Sequence, residues 1–492
     1  MRTLSNFING QWIQPSAATH LPDVNPADTT ETIAESPRSA VADVAAAAEA
    51  AERAYPAWRA TPAPQRGQLL YRVQRRMEAR RDELAEALTR EEGKTLAESK
   101  GEIQRAINVV EFYAGEGRRL LGETIPSELP YNFCYTIREP VGPLALITPW
   151  NFPVAIPIWK LAPAVVCGNT VVLKPASLTP LSASLIADIF AECNAPSGVL
   201  NVVYGSGHEV GEALLAHPAI KGVSFTGSNN IGAHLYGAGA AHGIKCQCEM
   251  GGKNPVVVLA DADLELAVNS AVQGAYGSTG QRCTATSRVI VVDSIADEFV
   301  ERLETQASTL VVGNGLNPST DVGPSVDQSQ MDTVLDYIEI GQHEGARLVA
   351  GGSRLTGDEH DRGYFVEPTI FDRVTPGMRI AQEEIFGPVL SVLRVPDVTS
   401  ALSVANAVRY GLCASIYTRD ISRALQLVDQ IEAGIIHVNS PTVGGEAHVP
   451  FGRMKAPGVG LREMGREAIA FFTELKVVYL DYADTARGGN LY

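Results

Sequence analysis

The sequence has no apolar run of membrane length, because Gly, Pro, Asn or Lys interrupts every candidate stretch in its 492 residues, so no helix that crosses a bilayer is expected. It has no leader-like start either: Asn9-Gly10 breaks the polar opening segment before an apolar block develops. Basic residues are in deficit. The 40 Lys and Arg against 56 Asp and Glu leave a net charge of -16, which offers nucleic acid no general footing. The seven cysteines, at 134, 167, 193, 246, 248, 283 and 413, are odd in number and scattered. Their one close pair, Cys246-Gln247-Cys248, has a gap that fits no usual zinc spacing, and scattered thiols point to a reducing, cytoplasmic setting. His208, His217, His234, His242 and His448 form no i, i+4 metal pair, so no metal is expected. A G-x-G-x-x-G fingerprint is missing too: Gly205-Ser206-Gly207 is followed by Val210 where the third glycine would fall, although Gly211 is adjacent.

What is present begins with size. A chain of 492 residues exceeds what one core usually supports, so two or more domains are expected, and a hydrophobic content of 45% is ordinary for a globular protein. Residues 1–40 read as short strands and turns, with Asn9-Gly10 a hairpin signal and Asn25-Pro26 a turn. Helical periodicity follows over 44–54, 65–80, 82–89 and 96–114, and its arginines, Arg72, Arg75, Arg76, Arg80 and Arg81 among them, read as a solvated face. Residues 131–138 alternate as a strand with one packed face. From 143 to 260 short β-rich runs alternate with helical ones, which predicts an α/β fold with a parallel sheet covered on both faces, a common dinucleotide-binding architecture. Gly227-Ser228-Asn229-Asn230-Ile231-Gly232 directly follows one such strand and opens a helix whose first amides suit a phosphate. Lys174 ends another strand, where parallel sheets place ligands. Asp261-Ala262-Asp263-Leu264 reads as a helix start with acids at its positive end.

Two stretches carry chemistry. Gly280-Gln281-Arg282-Cys283-Thr284 is a polar interruption in an apolar region, with Arg282 and Arg288 flanking the sulfur. A single Cys is most often a small buried hydrophobe, and a reactive one needs an electropositive or hydrogen-bonding surround that favours thiolate. Glu249-Met250-Gly251-Gly252-Lys253-Asn254-Pro255 raises Cys283 above that reading, because paired glycines and a proline shape a turn that holds an acid beside a backbone gap. Cys with Glu suggests a thiolate that takes an electrophilic carbon and a carboxylate that activates the water releasing it.

With these stretches the chain resembles the NAD(P)-dependent aldehyde dehydrogenases. Pro149-Trp150-Asn151-Phe152-Pro153, Leu173-Lys174-Pro175, Phe225-Thr226-Gly227-Ser228, the Glu249 turn, Gly280-Gln281-Arg282-Cys283, Glu383-Glu384-Ile385-Phe386-Gly387-Pro388 and Pro450-Phe451-Gly452 come in that family's order and cover nearly the whole chain. The resemblance implies a Rossmann-type NAD(P)-binding domain from 1–120 and 143–254, an α/β catalytic domain from 255–451, and oligomerisation or bridging segments at 121–142 and 452–492. In the last, a strand near Val477 would pair with the one at 131–138 in a homodimer or homotetramer. Cys283 would be the nucleophile, Glu249 the base and Asn151 an oxyanion donor together with the Cys283 amide. Thr148, Pro149, Trp150, Lys174, Ser177, Gly207 and Gly211 would contact NAD or NADP, as would Phe225, Thr226, Gly227, Ser228 and Gly232. Met250, Gly251, Glu384 and Phe386 would do so at the nicotinamide end. Lys160 and Glu463 match positions linked in some members to a proton path.

Ser177 stands where many NAD-preferring members carry a glutamate, and a hydroxyl there accepts a 2′-phosphate that a carboxylate would repel. For the small aldehyde substrate, Phe152, Trp159 and Phe451 would line an apolar tunnel with Thr284 and Arg282. Arg453 stands where the family usually has a second glycine, and would either narrow the entrance or point to solvent. The resemblance is nearest to bacterial α-ketoglutaric semialdehyde (2,5-dioxopentanoate) dehydrogenases, whose substrate carboxylate needs a cation once desolvated; Arg282 and Arg453 are the candidates. Another semialdehyde, an aliphatic or aromatic aldehyde, a non-phosphorylating glyceraldehyde-3-phosphate dehydrogenase and an inactive binding protein of the same fold are the alternatives.

Overall fold

The computed structural model describes residues 2–16, 19–455 and 458–484; the end of the proposed bridging segment, 485–492, lies outside the described residues. Two seven-stranded sheets organise them. In the first, the strands run in the order Lys245–Met250, Gly222–Gly227, Pro143–Ile147, Thr170–Lys174, Leu200–Val202, Asn6–Ile8 and Gln11–Ile13. The first five are mutually parallel, and the N-terminal hairpin adds on antiparallel, turning through Asn9 and Gly10, both at positive φ. The runs Pro-Leu-Ala-Leu-Ile and Thr-Val-Val-Leu-Lys are buried at every residue, as a sheet covered on both faces requires.

The parallel part of this sheet starts at Pro143–Ile147, moves outward through Thr170–Lys174 and Leu200–Val202, then returns to the other side at Gly222–Gly227 and Lys245–Met250. Strand order therefore reverses between Pro143–Ile147 and Gly222–Gly227. Parallel sheets of this kind hold ligands beyond the carboxyl ends of their strands at such a reversal. Thr148-Pro149-Trp150 follows one of these ends and Gly227-Ser228 the other.

The second sheet runs Arg347–Ala350, Thr369–Asp372, Val389–Val395, Thr286–Val292, Asn254–Val258, Cys413–Tyr417, Ile435–Val438, parallel except for the first strand. Only Gly251, Gly252 and Lys253 separate the edge strand Lys245–Met250 of the first sheet from the interior strand Asn254–Val258 of the second, so this turn lies where the two sheets join. A smaller sheet pairs Thr473–Asp481 antiparallel with Asn132–Pro140, Val477 opposite Thr136.

The first helix runs Val41–Ala60 straight through Pro56, beyond the 44–54 expected. Packing overrides the proline: Trp58 is buried and its Nε1 donates to the Val165 carbonyl at 3.1 Å. The helix Leu96–Glu116 starts on a capping box, Thr95 N–H donating to Glu98 Oε2 at 3.1 Å and Thr95 Oγ1 accepting from Glu98 N–H at 3.3 Å. Its second turn carries Glu102, whose Oε1 accepts from the Val154 and Ala155 amides at 3.0 Å. An acid therefore meets the positive end of the helix Ala155–Cys167, and this fixes both helices around the segment 149–153. The strand Asn132–Pro140 departs from expectation: Cys134 alone is buried along it, so a single chain supplies no packed face there.

Candidate active site

Cys283 sits on a tight turn. Ser278, Thr279 and Gly280 before it all have positive φ, at 49°, 58° and 68°, a strained run of the kind concentrated at functional sites. A Cβ on Gly280 would strike the Gly387 carbonyl, so this position needs glycine twice over. Asn254 Nδ2 holds the outgoing chain by donating to the Cys283 and Ala285 carbonyls at 2.8 and 2.9 Å. Gln281 Oε1 accepts from the Val326 amide at 3.0 Å. Arg288 plays no part at the sulfur: it is fully buried and donates to the carbonyls of Lys253, Val404 and Ala405 at 3.1 to 3.2 Å.

The half-buried Cys283 lies where two cavities meet. The first is a cleft lined by Pro149, Trp150, Asn151, Thr226, Gly227, Ser228, Met250, Gly251, Glu384 and Phe386, all of them singled out from sequence, together with Ile156 and Gln330, which were not. Phe386, at φ 61°, sets its ring edge against Trp150 with 5.4 Å between centroids. Gln330 Nε2 fixes it by donating to the Ile385 and Phe386 carbonyls at 3.1 Å. Glu384 Oε1 accepts from the Gly252 amide at 2.9 Å, and its carboxylate packs on Gly251, where any Cβ would collide with it. Burial raises the Glu384 carboxyl to about 7.

Along the carboxyl edge of the first sheet, the hydroxyls of Thr148 and Thr226 are buried without a partner. Lys174 is 4% exposed, has no ion-pair partner among the described residues, and is lowered to about 8 by burial. Its Nζ would lie 3.8 Å from a Cβ on Gly207. The helix Asn229–His242 begins just after Ser228, and Gly232 packs so closely on Met250 that a side chain would strike its sulfur. Unpartnered hydroxyls, a buried cation without a counter-charge and an open helix start suit a phosphorylated dinucleotide. Phe225 supports this edge from beneath as a core residue, Gly211 lies buried within the helix Gly207–Ala216, and the exposed Ser177 donates to the Gly205 carbonyl at 2.9 Å.

The second cavity is a tunnel lined by Phe152, Trp159, Phe451, Arg282, Thr284, Glu98, Glu102, Arg105, Val443 and Gly444, reaching Cys283 from the other side. Trp159 and Phe451 stack at 5.7 Å. Arg282 donates to Glu98 Oε1 at 3.2 Å and to Ser278 Oγ at 2.8 Å. Arg105, hidden in a helical stretch whose arginines read as solvated, faces this tunnel instead. Its guanidinium stands 5.7 Å from the Trp159 ring centroid and donates to the Gly445 carbonyl. It has no carboxylate partner among the described residues, and its Nε is buried without any partner. Burial lowers its pKa.

Asn151 Nδ2 donates to the Gln281 carbonyl at 2.9 Å, which leaves its second N–H available, and Lys94 Nζ anchors the Asn151 carbonyl at 2.7 Å. The Cys283 thiol is pushed up to about 12, first by burial and then by the charges of Glu384 and Glu249. Glu249 is close enough to act on the sulfur electrostatically but does not line the cleft. Its Oε2 accepts from Arg453 Nη2 at 2.6 Å, and that nitrogen also donates to the Met250 carbonyl at 2.8 Å. Arg453 thus fulfils neither expectation: its side chain is only 6% exposed and it lines neither the tunnel nor its entrance. Burial raises the Glu249 pKa while Arg453 opposes the rise. Lys160 Nζ meets Glu463 and donates to Ser224 Oγ at 2.9 Å, forming a buried polar cluster near Glu249.

Residues 12–478 match the profile of the aldehyde dehydrogenase family. The chain is 46% identical to the alpha-ketoglutaric semialdehyde dehydrogenase of Bacillus subtilis over 97% of this chain and 98% of that protein. It is 45% identical to the alpha-ketoglutarate semialdehyde dehydrogenase of Haloferax volcanii over 97% and 99%. Its fold superposes on betaine aldehyde dehydrogenase from Staphylococcus aureus, solved in complex with NAD+, at a TM-score of 0.96 and 32% identity, covering 99% of this chain and 96% of that one. A thiol at the junction of two cavities, one of them at the carboxyl edge of a parallel sheet, accords with this kinship, and the chain belongs to the aldehyde dehydrogenase family.

Proposed function

We infer that this enzyme oxidises a short aldehyde bearing a carboxylate at its far end, with α-ketoglutaric semialdehyde as the best-fitting substrate and 2-oxoglutarate as product. The observation that carries this reading is Arg105, a half-buried guanidinium whose Nε is buried without a partner and which lines the tunnel that ends at Cys283. A buried cation is costly unless an anion meets it, and a guanidinium binds a carboxylate through paired hydrogen bonds. Arg282, already shared with Glu98, borders the same tunnel. The names carried by the Bacillus and Haloferax relatives support the same substrate.

In this reading Cys283 Sγ adds to the aldehyde carbon, and the carbonyl electron pair moves onto oxygen. The free Asn151 N–H and the Cys283 amide receive that oxyanion. Lys174, the 225–228 turn and Glu384 would hold a nicotinamide dinucleotide, which would take the hydride from that carbon and so leave a thioester on Cys283. Glu249 then takes a proton from water as the water oxygen adds to the thioester carbon; the C–S bond breaks, sulfur leaves, and the acid is released. The thiol needs a proton acceptor, since burial first and then the charges of Glu384 and Glu249 push it up to about 12.

Ser177 beside Lys174 permits NADP as well as NAD, because no carboxylate repels a 2′-phosphate there. The first sheet with its helices, 1–120 and 143–254, forms the cofactor unit and 255–451 the catalytic one, while 121–142 and 452–492 join copies of the chain in a homodimer or homotetramer. The test is a panel of α-ketoglutaric semialdehyde, pentanal, benzaldehyde and glyceraldehyde 3-phosphate with both dinucleotides. The semialdehyde should lead in kcat/KM; pentanal matching it would overturn the substrate assignment. The phosphorylated aldehyde is included because the same guanidiniums suit a phosphate.

A further inference from the structure

We propose that Arg453 is a positioning residue for the base: its guanidinium ties Glu249 down as a carboxylate and so governs how readily the acyl group is hydrolysed from Cys283. This rests on the reading of Glu249 as the base. The geometry is specific. One nitrogen, Nη2, spans the Glu249 carboxylate at 2.6 Å and the carbonyl of the next residue, Met250, at 2.8 Å, so the arginine fixes the side chain relative to its own backbone turn. Glu249 Oε1 faces Gly452, where an added Cβ would lie 3.4 Å from it. The residue preceding the arginine therefore leaves room for the carboxylate that the arginine holds. Both side chains are under one-tenth exposed, which shields the contact from water and salt.

The charges around Glu249 make Arg453 decisive. Glu463 faces it and opposes ionisation, while Lys160 favours it. These two are bonded to each other and to Ser224, so they largely cancel. Cys283 lies within electrostatic range, Arg462 packs beside Gly452, and Glu384 packs against Gly251, two residues along the turn. Burial is the largest influence on Glu249 and works against its charge. Arg453 is the cation hydrogen-bonded to Glu249. Without it, a buried carboxylate keeps its proton to higher pH, and a protonated Glu249 cannot take another from water.

Hydrolysis of p-nitrophenyl acetate by the full-length protein without dinucleotide isolates this step. The ester acylates Cys283 with a burst of p-nitrophenol, and steady release then reports deacylation. In Arg453→Met the burst should persist. The acid limb of the steady rate should move up by about one pH unit or more, leaving the rate about tenfold lower below the limb. Arg453→Lys should move the limb back toward that of the parent enzyme, a rescue that a merely structural role would not give. Should the Met variant fail to fold by circular dichroism, Arg453→Gln removes the charge while keeping donors and reads the same limb. A limb that stays in place in the neutral variants, or faster hydrolysis at every pH, would overturn the proposal. Glu249→Gln separates the two readings: burst without turnover is expected, and normal turnover would remove Glu249 as the base, whatever Arg453 does.

Discussion

Arg105 projects from the helix Leu96–Glu116 into a tunnel whose two lining carboxylates, Glu98 and Glu102, are paired with Arg282 and Lys94. If its partner is the substrate carboxylate, Arg105→Met should leave a neutral aldehyde of equal length unaffected and raise KM for the semialdehyde. A hydrogen bond to a charged group is worth about 1.5 to 3 kcal/mol, or about tenfold to a hundredfold in binding. Initial rates with α-ketoglutaric semialdehyde and pentanal check this, and equal losses for both would mean that Arg105 merely shapes the tunnel. The residues on either side of it explain why the sequence did not reveal it. Glu102, Ile103, Ala106, Val109 and Val110 make the buried stripe of this helix, and Arg105 lies at its edge, where helical periodicity cannot distinguish solvent from a cavity. What closes over it, Gly445 and Met464, is more than three hundred residues away in the chain. Arg453 was opaque for the same reason. Cys283 and Glu249 stand out in the sequence because the glycines beside them, Gly280 and Gly251-Gly252, mark backbone geometry directly.

The strand ends placed the cofactor side, and here the sequence was more open to reading. Alternating apolar runs and helical stretches predicted the parallel sheet, and the turns after its strands are short enough for Thr148, Lys174 and Gly227 to fall at one edge. Sequence could not specify which groups on that edge lack partners, since the orphaned hydroxyls of Thr148 and Thr226 depend on what packs around them. The rim of the strand Thr170–Lys174 gives a direct test of cofactor choice. Ser177 is exposed three residues beyond Lys174, whose ammonium is buried and unpaired among the described residues. Ser177→Glu would put a carboxylate beside the site for the ribose 2′ position, where it accepts from a hydroxyl but repels a phosphate. The ratio of kcat/KM for NADP over NAD should fall by about tenfold or more, one unit charge of repulsion partly screened by water. Equilibrium binding of NADP, followed by protein fluorescence, should weaken in parallel. An unchanged ratio would place the discriminating contact elsewhere on the rim.

For the molecule as a whole, the small sheet that pairs Thr473–Asp481 with Asn132–Pro140 is the part with an apolar face left exposed by a single chain. Along Thr473–Asp481 the side chains of Leu475, Val477 and Tyr479 share one face and are 58%, 52% and 71% exposed. The same strand is the outer one of its sheet, with nine residues paired on one side and, among the described residues, no strand on the other. Exposed edges and contiguous apolar faces are what soluble proteins cover, charge or shorten, yet here neither Pro nor Gly interrupts the strand. The net charge of -16 sets copies of the chain against each other, so the apolar contact has to outweigh that repulsion, and moderate salt should strengthen the assembly by screening it. Light scattering coupled to size exclusion should give an integral multiple of one chain's mass at micromolar concentration. Val477→Glu, which puts a charge in the middle of the face without touching either cavity, should shift it toward the single chain while leaving the acylation burst at Cys283 intact. A parent enzyme that runs as a single chain at every concentration and salt would show that this face is covered in some other way, and the variant would then have nothing to dissociate.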